Sequence, residues 1–249
     1  MSDVSLNMDG PVARLVLDRP EALNALNREM ARHLERALGS LEAAGDVKVV
    51  IVSGRGRSFC AGNDIAEMAE LSPVEAETIS RSWQDIVDRF GRLPQVTIAA
   101  VHGHALGGGC VLAAAQDLRL AEASARLGLP EVTLGFNPSY GIARLLDVMG
   151  GAHGRDLLLT GRTIDATEAQ RMNLVTTVVP DGTLEQAAAA LASQIAQHPR
   201  AGVTATKSVI ANVRAGGSGD EARAYAATLR SDAEARARIA AFIARKTRK

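Results

Sequence analysis

The chain has 249 residues, of which 47% are hydrophobic and 22% charged, an ordinary balance for a soluble globular protein able to bury a full core. Its 28 basic residues are matched by 28 acidic ones, so no net field invites nucleic acid or an anionic membrane surface. No apolar run reaches the roughly 18 residues of a membrane span, and Met1 to Gly10 has neither a basic lead nor a signal core, so the cytoplasm is the expected compartment.

Val12 to Leu17 reads as a strand that runs into a turn at Asp18-Arg19-Pro20. After Glu21-Ala22-Leu23-Asn24-Ala25-Leu26, Asn27 is placed to cap a helix whose apolar positions Met30, Leu34, Leu38 and Leu41 keep helical spacing. Val47 to Val52 reads as a buried strand. Gly54-Arg55-Gly56-Arg57 then turns into Ser58-Phe59-Cys60-Ala61-Gly62-Asn63-Asp64. Ser72-Pro73-Val74-Glu75 combines a capping box with proline at the first helical position, and the helix it starts should reach Leu93, before Pro94.

Val96 to Val101 is a continuous apolar run, broken by Gly103 and then by Gly107, Gly108 and Gly109 before small apolar residues resume. This reads as a buried strand, a tight glycine turn and a helix start. The first N–H groups of a helix lack intrahelical acceptors, and the dipole there favours negative charge. The N–H of Gly108 can therefore serve as half of an oxyanion hole, aimed at a carbonyl that becomes an enolate or alkoxide. The plainer alternative is a turn where only glycine fits. The G-x-G-x-x-G spacing of a dinucleotide site is absent.

Further on, Asp117 to Ala121 and Ala125 to Gly128 read as short strands, and Leu129-Pro130-Glu131 leaves the second. Asn137-Pro138-Ser139-Tyr140-Gly141 is a turn before a helix that runs to Met149 and ends at Gly150-Gly151. Asp165 should cap another helix, and Leu174 to Val179 reads as a strand closed by Pro180. From Thr183 the pattern is helical only: Thr183 to Gln197, Ala201 to Val213, and Asp220 to about Arg245. Cys60 and Cys110 are too few for a disulfide framework.

Ser58 to Met68 and Gly103 to Asp117 together resemble the crotonase, or enoyl-CoA hydratase/isomerase, family. Arg19 to Leu26, Leu127 to Gly135 and Leu158-Leu159-Thr160-Gly161 add matches in the family's order, covering nearly the whole chain. The resemblance implies an α/β fold, a crotonase-like spiral of ββα units over residues 1–190 with the active site, then an all-helical region over 191–249 for trimerisation and active-site cover. It implies a homotrimer or a dimer of trimers. The implied substrate is an acyl-CoA thioester, with coenzyme A as part of the substrate and no separate cofactor or metal.

By the same resemblance, two backbone N–H groups hold the thioester oxygen: that of Gly108 and that of Asn63. Ala22, Leu23 and Asn24 match the loop that meets the adenine, and Asp64 and Ile65 the wall along the pantetheine. Ala66 stands where many relatives place a lysine, and Arg245 stands near a terminal position that some relatives direct at the nucleotide. Met68, Val111, Ser139 and Tyr140 are acyl-pocket candidates. The hydroxyl of Tyr140 either meets the substrate or packs behind the turn.

The two-carboxylate hydratases of this family carry one glutamate at the position of Val111 and another at the position of Glu131. Here only Glu131 remains. Adding water across a conjugated double bond suits paired carboxylates, whereas moving a double bond from the 3,4 to the 2,3 position needs one base that takes the α-proton and returns it at the γ-carbon. The expectation is therefore 3-enoyl to 2-enoyl-CoA isomerisation with Glu131 as catalytic base, and hydration of a branched or aromatic 2-enoyl-CoA is the alternative. Asp64 is expected to cap a helix, Glu67 to face solvent and Asp117 to be structural. An acyl-CoA hydrolase built on Ser58, Ser139, His102 or His104 ranks lower, since no G-x-S-x-G elbow is present and no serine is visibly tied to a histidine. A non-catalytic oligomeric binding protein is the remaining class.

Overall fold

The computed structural model describes residues 2–217 and 220–246. Strands β1 (Val4–Asp9), β2 (Val12–Leu17), β3 (Val49–Gly54), β4 (Val96–Val101), β6 (Leu118–Glu122) and β9 (Thr177–Val179) form one six-stranded sheet in the order β1-β2-β3-β4-β6-β9. β1 and β2 pair antiparallel, and every later pair is parallel. β5 (His104–Leu106), β7 (Arg126–Gly128) and β8 (Thr163–Asp165) form a second, three-stranded sheet.

One face of the large sheet is covered by α1 (Arg28–Ala43) and α3 (Pro73–Arg92), and the main core lies between them. Asn27 caps α1 as expected, its side chain accepting from Met30 N, and Met30, Leu34, Leu38 and Leu41 are fully buried. Ser72 and Glu75 form the reciprocal capping box at the start of α3. The opposite face carries α7 (Leu184–Ala196), whose Leu184, Ala188 and Ala192 pack on Val49, Ile51, Ile98, Ala100 and Leu120. Residue 190 falls inside this helix, which packs with the sheet.

The chain departs from the expected elements at several places. β1 is an additional strand, in which Val4, Leu6 and Met8 alternate with polar residues. β3 begins two positions later than expected, and β9 is only three residues long. Between β4 and the glycine turn the chain pairs once more, as β5, instead of turning directly into α4 (Gly108–Ala115). Within α5 (Ile142–Thr160) the helical backbone is interrupted at Gly150 as expected, with φ 72° and ψ 164°, and a further helical stretch, not expected, follows to Thr160. The expected terminal helix is two helices, α9 (Glu221–Ser231) and α10 (Ala233–Lys246), parted at Asp232 with φ −98° and ψ 107°.

Helix α8 (Arg200–Arg214) is tied to the body by Lys207, whose ammonium donates to Phe90 O and Gln95 O and pairs with Asp117. Asp117 also accepts from Thr97 N and Oγ1, the structural role expected of it.

Candidate active site

Three chain segments meet at the start of α4. Residues 58–64 leave β3 and are pinned on both sides: Cys60 N donates to His104 O, Leu106 N to Cys60 O, Leu26 N to Gly62 O and Asp64 N to Leu26 O. The glycine turn at 107–109 follows β5. The short 3-10 turn Pro130–Leu134 follows β7. Gly107 N donates to Gly128 O at 2.9 Å, so the strand that delivers Glu131 is bonded to the turn that starts α4.

Gly107 has φ 51° and ψ −124°, a conformation that a side chain disfavours. A Cβ on it would lie 2.8 Å from Glu131 Oε1. At Gly108 the constraint is close approach: a Cβ would collide with the Tyr140 hydroxyl and the Asn63 carboxamide oxygen. Among the described residues, the N–H groups of Asn63 and Gly108 have no hydrogen-bond acceptor. The first lies on the side of its strand turned away from Leu26, and the second heads α4, where the helix offers none.

α4 is buried along all of its eight residues. Its C-terminal carbonyls are met by Arg144, whose Nε donates to Ala114 O at 2.6 Å and Nη2 to Gln116 O at 2.9 Å, while Arg119 Nη1 donates to Gln116 O. Two guanidinium groups thus sit at the negative end of the dipole, and its positive end opens at Gly108. Burial, with Arg144 beside it, pulls Arg119 down to about 10.

Glu131 is buried, and its Oε2 has no hydrogen-bond partner among the described residues. Burial raises its carboxyl above the usual value, since the charged form loses its hydration. Val111, one turn along α4, is buried against Gly141, so hydrocarbon occupies the place of the second carboxylate. Tyr140 is buried, stacks on Trp83 with ring centroids 6.1 Å apart, and donates its hydroxyl to Asn63 Oδ1 at 2.6 Å. That bond joins residues far apart in the chain, and sequence reasoning had left the partner of this hydroxyl open.

Asp64 caps α2 (Ile65–Ala69) by accepting from Ala66 N and Glu67 N, as expected, and also pairs with Arg19 at 3.2 Å. Arg19 was not singled out; it ties the 19–26 loop to this turn. Leu23 and Asn24 have positive φ, and the Asn24 side chain is spent on Arg19 N, Arg55 O and Ser58 O. Ala22 is half-buried and Ile65 exposed. Glu67 is half-buried and bonds Arg28 N instead of only facing water. Met68 is half-buried and Ser139 exposed. The side chain of Arg245 lies outside the described residues.

The structure does tie a serine to a histidine, contrary to expectation: Ser58 Oγ lies 3.4 Å from His104 Nδ1. Ser58 is only 1% exposed, however, so a thioester cannot reach that hydroxyl. His102 is bonded to Gly56 O. Among the described residues no group of His, Cys, Asp and Glu is arranged to hold a metal ion, and no helix is long and apolar enough to cross a membrane.

Residues 7–242 match the sequence model of the family described as enoyl-CoA hydratase/isomerase. The short-chain-enoyl-CoA hydratase of Clostridium acetobutylicum is 37% identical over 212 residues, covering 84% of this chain and 81% of that protein. A probable enoyl-CoA hydratase of Mycobacterium tuberculosis is 41% identical over 198 residues, 78% of this chain and 75% of its own length. The crystal structure of an enoyl-CoA hydratase from Bacillus anthracis superposes with a TM-score of 0.89 at 31% identity, over 99% of this chain and 97% of that one. The mixed α/β core with helices at its C-terminal end is thus the crotonase-like fold that the sequence resemblance implied.

Proposed function

The chain belongs to the enoyl-CoA hydratase/isomerase family and is an enzyme of that type, and within it we propose a one-base reaction on an acyl-CoA thioester, the conversion of a 3-enoyl into a 2-enoyl-CoA. The observation that carries this reading is the pairing of one buried carboxylate, Glu131, whose Oε2 has no partner among the described residues, with two unpaired N–H donors, on Asn63 and Gly108. The thioester oxygen accepts from both donors. Glu131 takes the proton from the α-carbon, and the electron pair moves onto the thioester oxygen as an enolate. The donors and the positive end of α4 hold that charge in a site where little water screens it. The same carboxyl then returns its proton to the γ-carbon, and the double bond comes to rest conjugated with the thioester. Desolvation makes Glu131 a stronger base than an exposed carboxylate.

In this reading Ala22, Leu23 and Asn24 offer backbone to the coenzyme A nucleotide, and Asp64 and Ile65 border the pantetheine. The exposed side chain of Ile65 and the left-handed backbone at Leu23 and Asn24 suit a loop that meets a ligand at the surface. Coenzyme A enters as part of the substrate, and proton transfer of this kind needs no redox group. A homotrimer or dimer of trimers through α8 to α10 fits the exposure of Ile210, Val213 and Tyr225.

Hydration of a 2-enoyl-CoA is the second reading, favoured by the relatives named as hydratases. A paired assay separates the two, offering a 2-enoyl-CoA and its 3-enoyl isomer while following the conjugated enoyl absorbance, with Glu131→Gln alongside. Gain of conjugation from the 3-enoyl compound only, lost in the variant, upholds the one-base reading. Rapid loss of conjugation from the 2-enoyl compound favours hydration.

A further inference from the structure

Beyond Gly108 the interior is closed by four side chains. Leu26, Trp83, Val111 and Tyr140 are 2%, 2%, 1% and 6% exposed, so each is packed on nearly all sides. Tyr140 stands foremost, with its hydroxyl where a Gly108 side chain would begin. The ring is held at both ends. Its face stacks on Trp83 at an interplanar angle of 18°, and its hydroxyl is bonded to Asn63 Oδ1 at 2.6 Å. Its backbone is held too, since Gly141 N donates to Gln84 Oε1 on α3 and Gly141 lies against Val111. Swinging the ring aside would break the hydroxyl bond and the stack together, leaving the carboxamide oxygen of half-buried Asn63 without its donor.

We infer that Tyr140 is the end wall of the acyl pocket and restricts this enzyme to short acyl chains. The inference rests on the reading above, in which the thioester oxygen lies on Asn63 N and Gly108 N. From that point an acyl chain directed inward meets the ring within a few carbon atoms. A longer chain would have to displace a packed aromatic side chain, and overpacking of that kind is costly in a close-packed interior. The wall selects by volume: what stops the chain is the ring, and the hydroxyl serves to keep the ring in place.

The test measures binding of saturated butanoyl-, hexanoyl- and decanoyl-CoA by calorimetry, and turnover of the matching enoyl thioesters, for the wild type, Tyr140→Ala and Tyr140→Phe. The wild type should prefer the butanoyl to the decanoyl thioester by about a hundredfold, on the scale by which pockets reject excess methylenes. Tyr140→Ala should bring the two within about threefold by raising the longer one, and Tyr140→Phe should keep the short-chain preference. Equal handling of both lengths by the wild type overturns the inference, because the chain then leaves past the solvent side; so does a Phe variant that changes preference as much as Ala. Should Tyr140→Ala not fold, Tyr140→Leu takes its place: it should raise the decanoyl thioester relative to the butanoyl one, and a wild-type preference left unchanged by it would overturn the inference. Glu131→Gln turning over the short substrate at the wild-type rate would instead overturn the one-base reading and leave the binding pattern standing.

Discussion

The ammonium of buried Lys207, on α8, lies 2.7 Å from the half-buried Asp117 carboxylate at the entry to β6, which also accepts from buried Thr97. Through this pair the helical end of the chain is bonded to the central sheet. Burial lowers the pKa of the lysine, and Asp117 opposes that shift. Lys207→Met leaves the carboxylate without its cation and Phe90 O and Gln95 O without a donor. It should destabilise the fold by about 2 kcal/mol, less than the loss for a fully buried pair because Asp117 is half-buried and keeps its bonds from Thr97. Urea unfolding at neutral pH checks this, and a variant within error of the wild type would refute it.

Glu131 links activity to stability with opposite signs. Because burial raises its pKa above 4.5, the acidic limb of the kcat/KM profile should lie above that value, the base having to be ionised to act. The folded protein holds this proton more tightly than the unfolded chain does, so the stability contributed is complete below the ordinary carboxylate range and is lost as pH rises through the folded-state pKa. Glu131→Gln should therefore be inactive yet at least as stable as the wild type at neutral pH, with the difference vanishing in acid. Thermal melts across pH read this out.

Gly108→Ala places a methyl group against the Tyr140 hydroxyl and Asn63 Oδ1. Activity should fall by about two orders of magnitude or more, the loss seen when one oxyanion donor is removed. Stability should fall by about 1–3 kcal/mol, as for an overpacked core. Gly135→Ala is the control. Its φ of 89° disfavours alanine, a strain that Gly108 does not carry, but nothing lies within 4 Å, so only backbone strain of about 1–2 kcal/mol is expected, without the kinetic defect.

Burial pushes the Cys60 and Cys110 thiols up to about 12. At neutral pH neither carries the thiolate that alkylating reagents attack. Intact-mass measurement should find no iodoacetamide adduct on the folded protein and two on the unfolded one. One fast adduct on the folded protein would contradict this.

What was legible in the sequence was what depends on neighbours along the chain. The caps at Asn27, Ser72, Asp64 and Asp165 are local hydrogen bonds, and each forms as expected. Gly107 to Gly109 and Glu131 stood out because backbone conformation and the Leu-Pro-Glu block are local as well. β5 was missed because a three-residue strand between glycines has no period to read. Gly150 interrupts the helix as expected, and what local sequence did not announce is the helical stretch that follows it and the break at Asp232, where neither proline nor glycine stands. The bond from Tyr140 to Asn63, the approach of Ser58 to His104, and the clamp of Lys207 on Asp117 join segments that only the folded topology brings together.

Because α4 has no exposed face and both its ends are engaged, its orientation cannot be set independently of everything wrapped around it. The hole at Gly108 is then an emergent product of the whole core, absent from any partly folded chain. During refolding, catalytic competence should return in step with the burial of Trp83, which packs in that same core, and no early intermediate should turn over substrate.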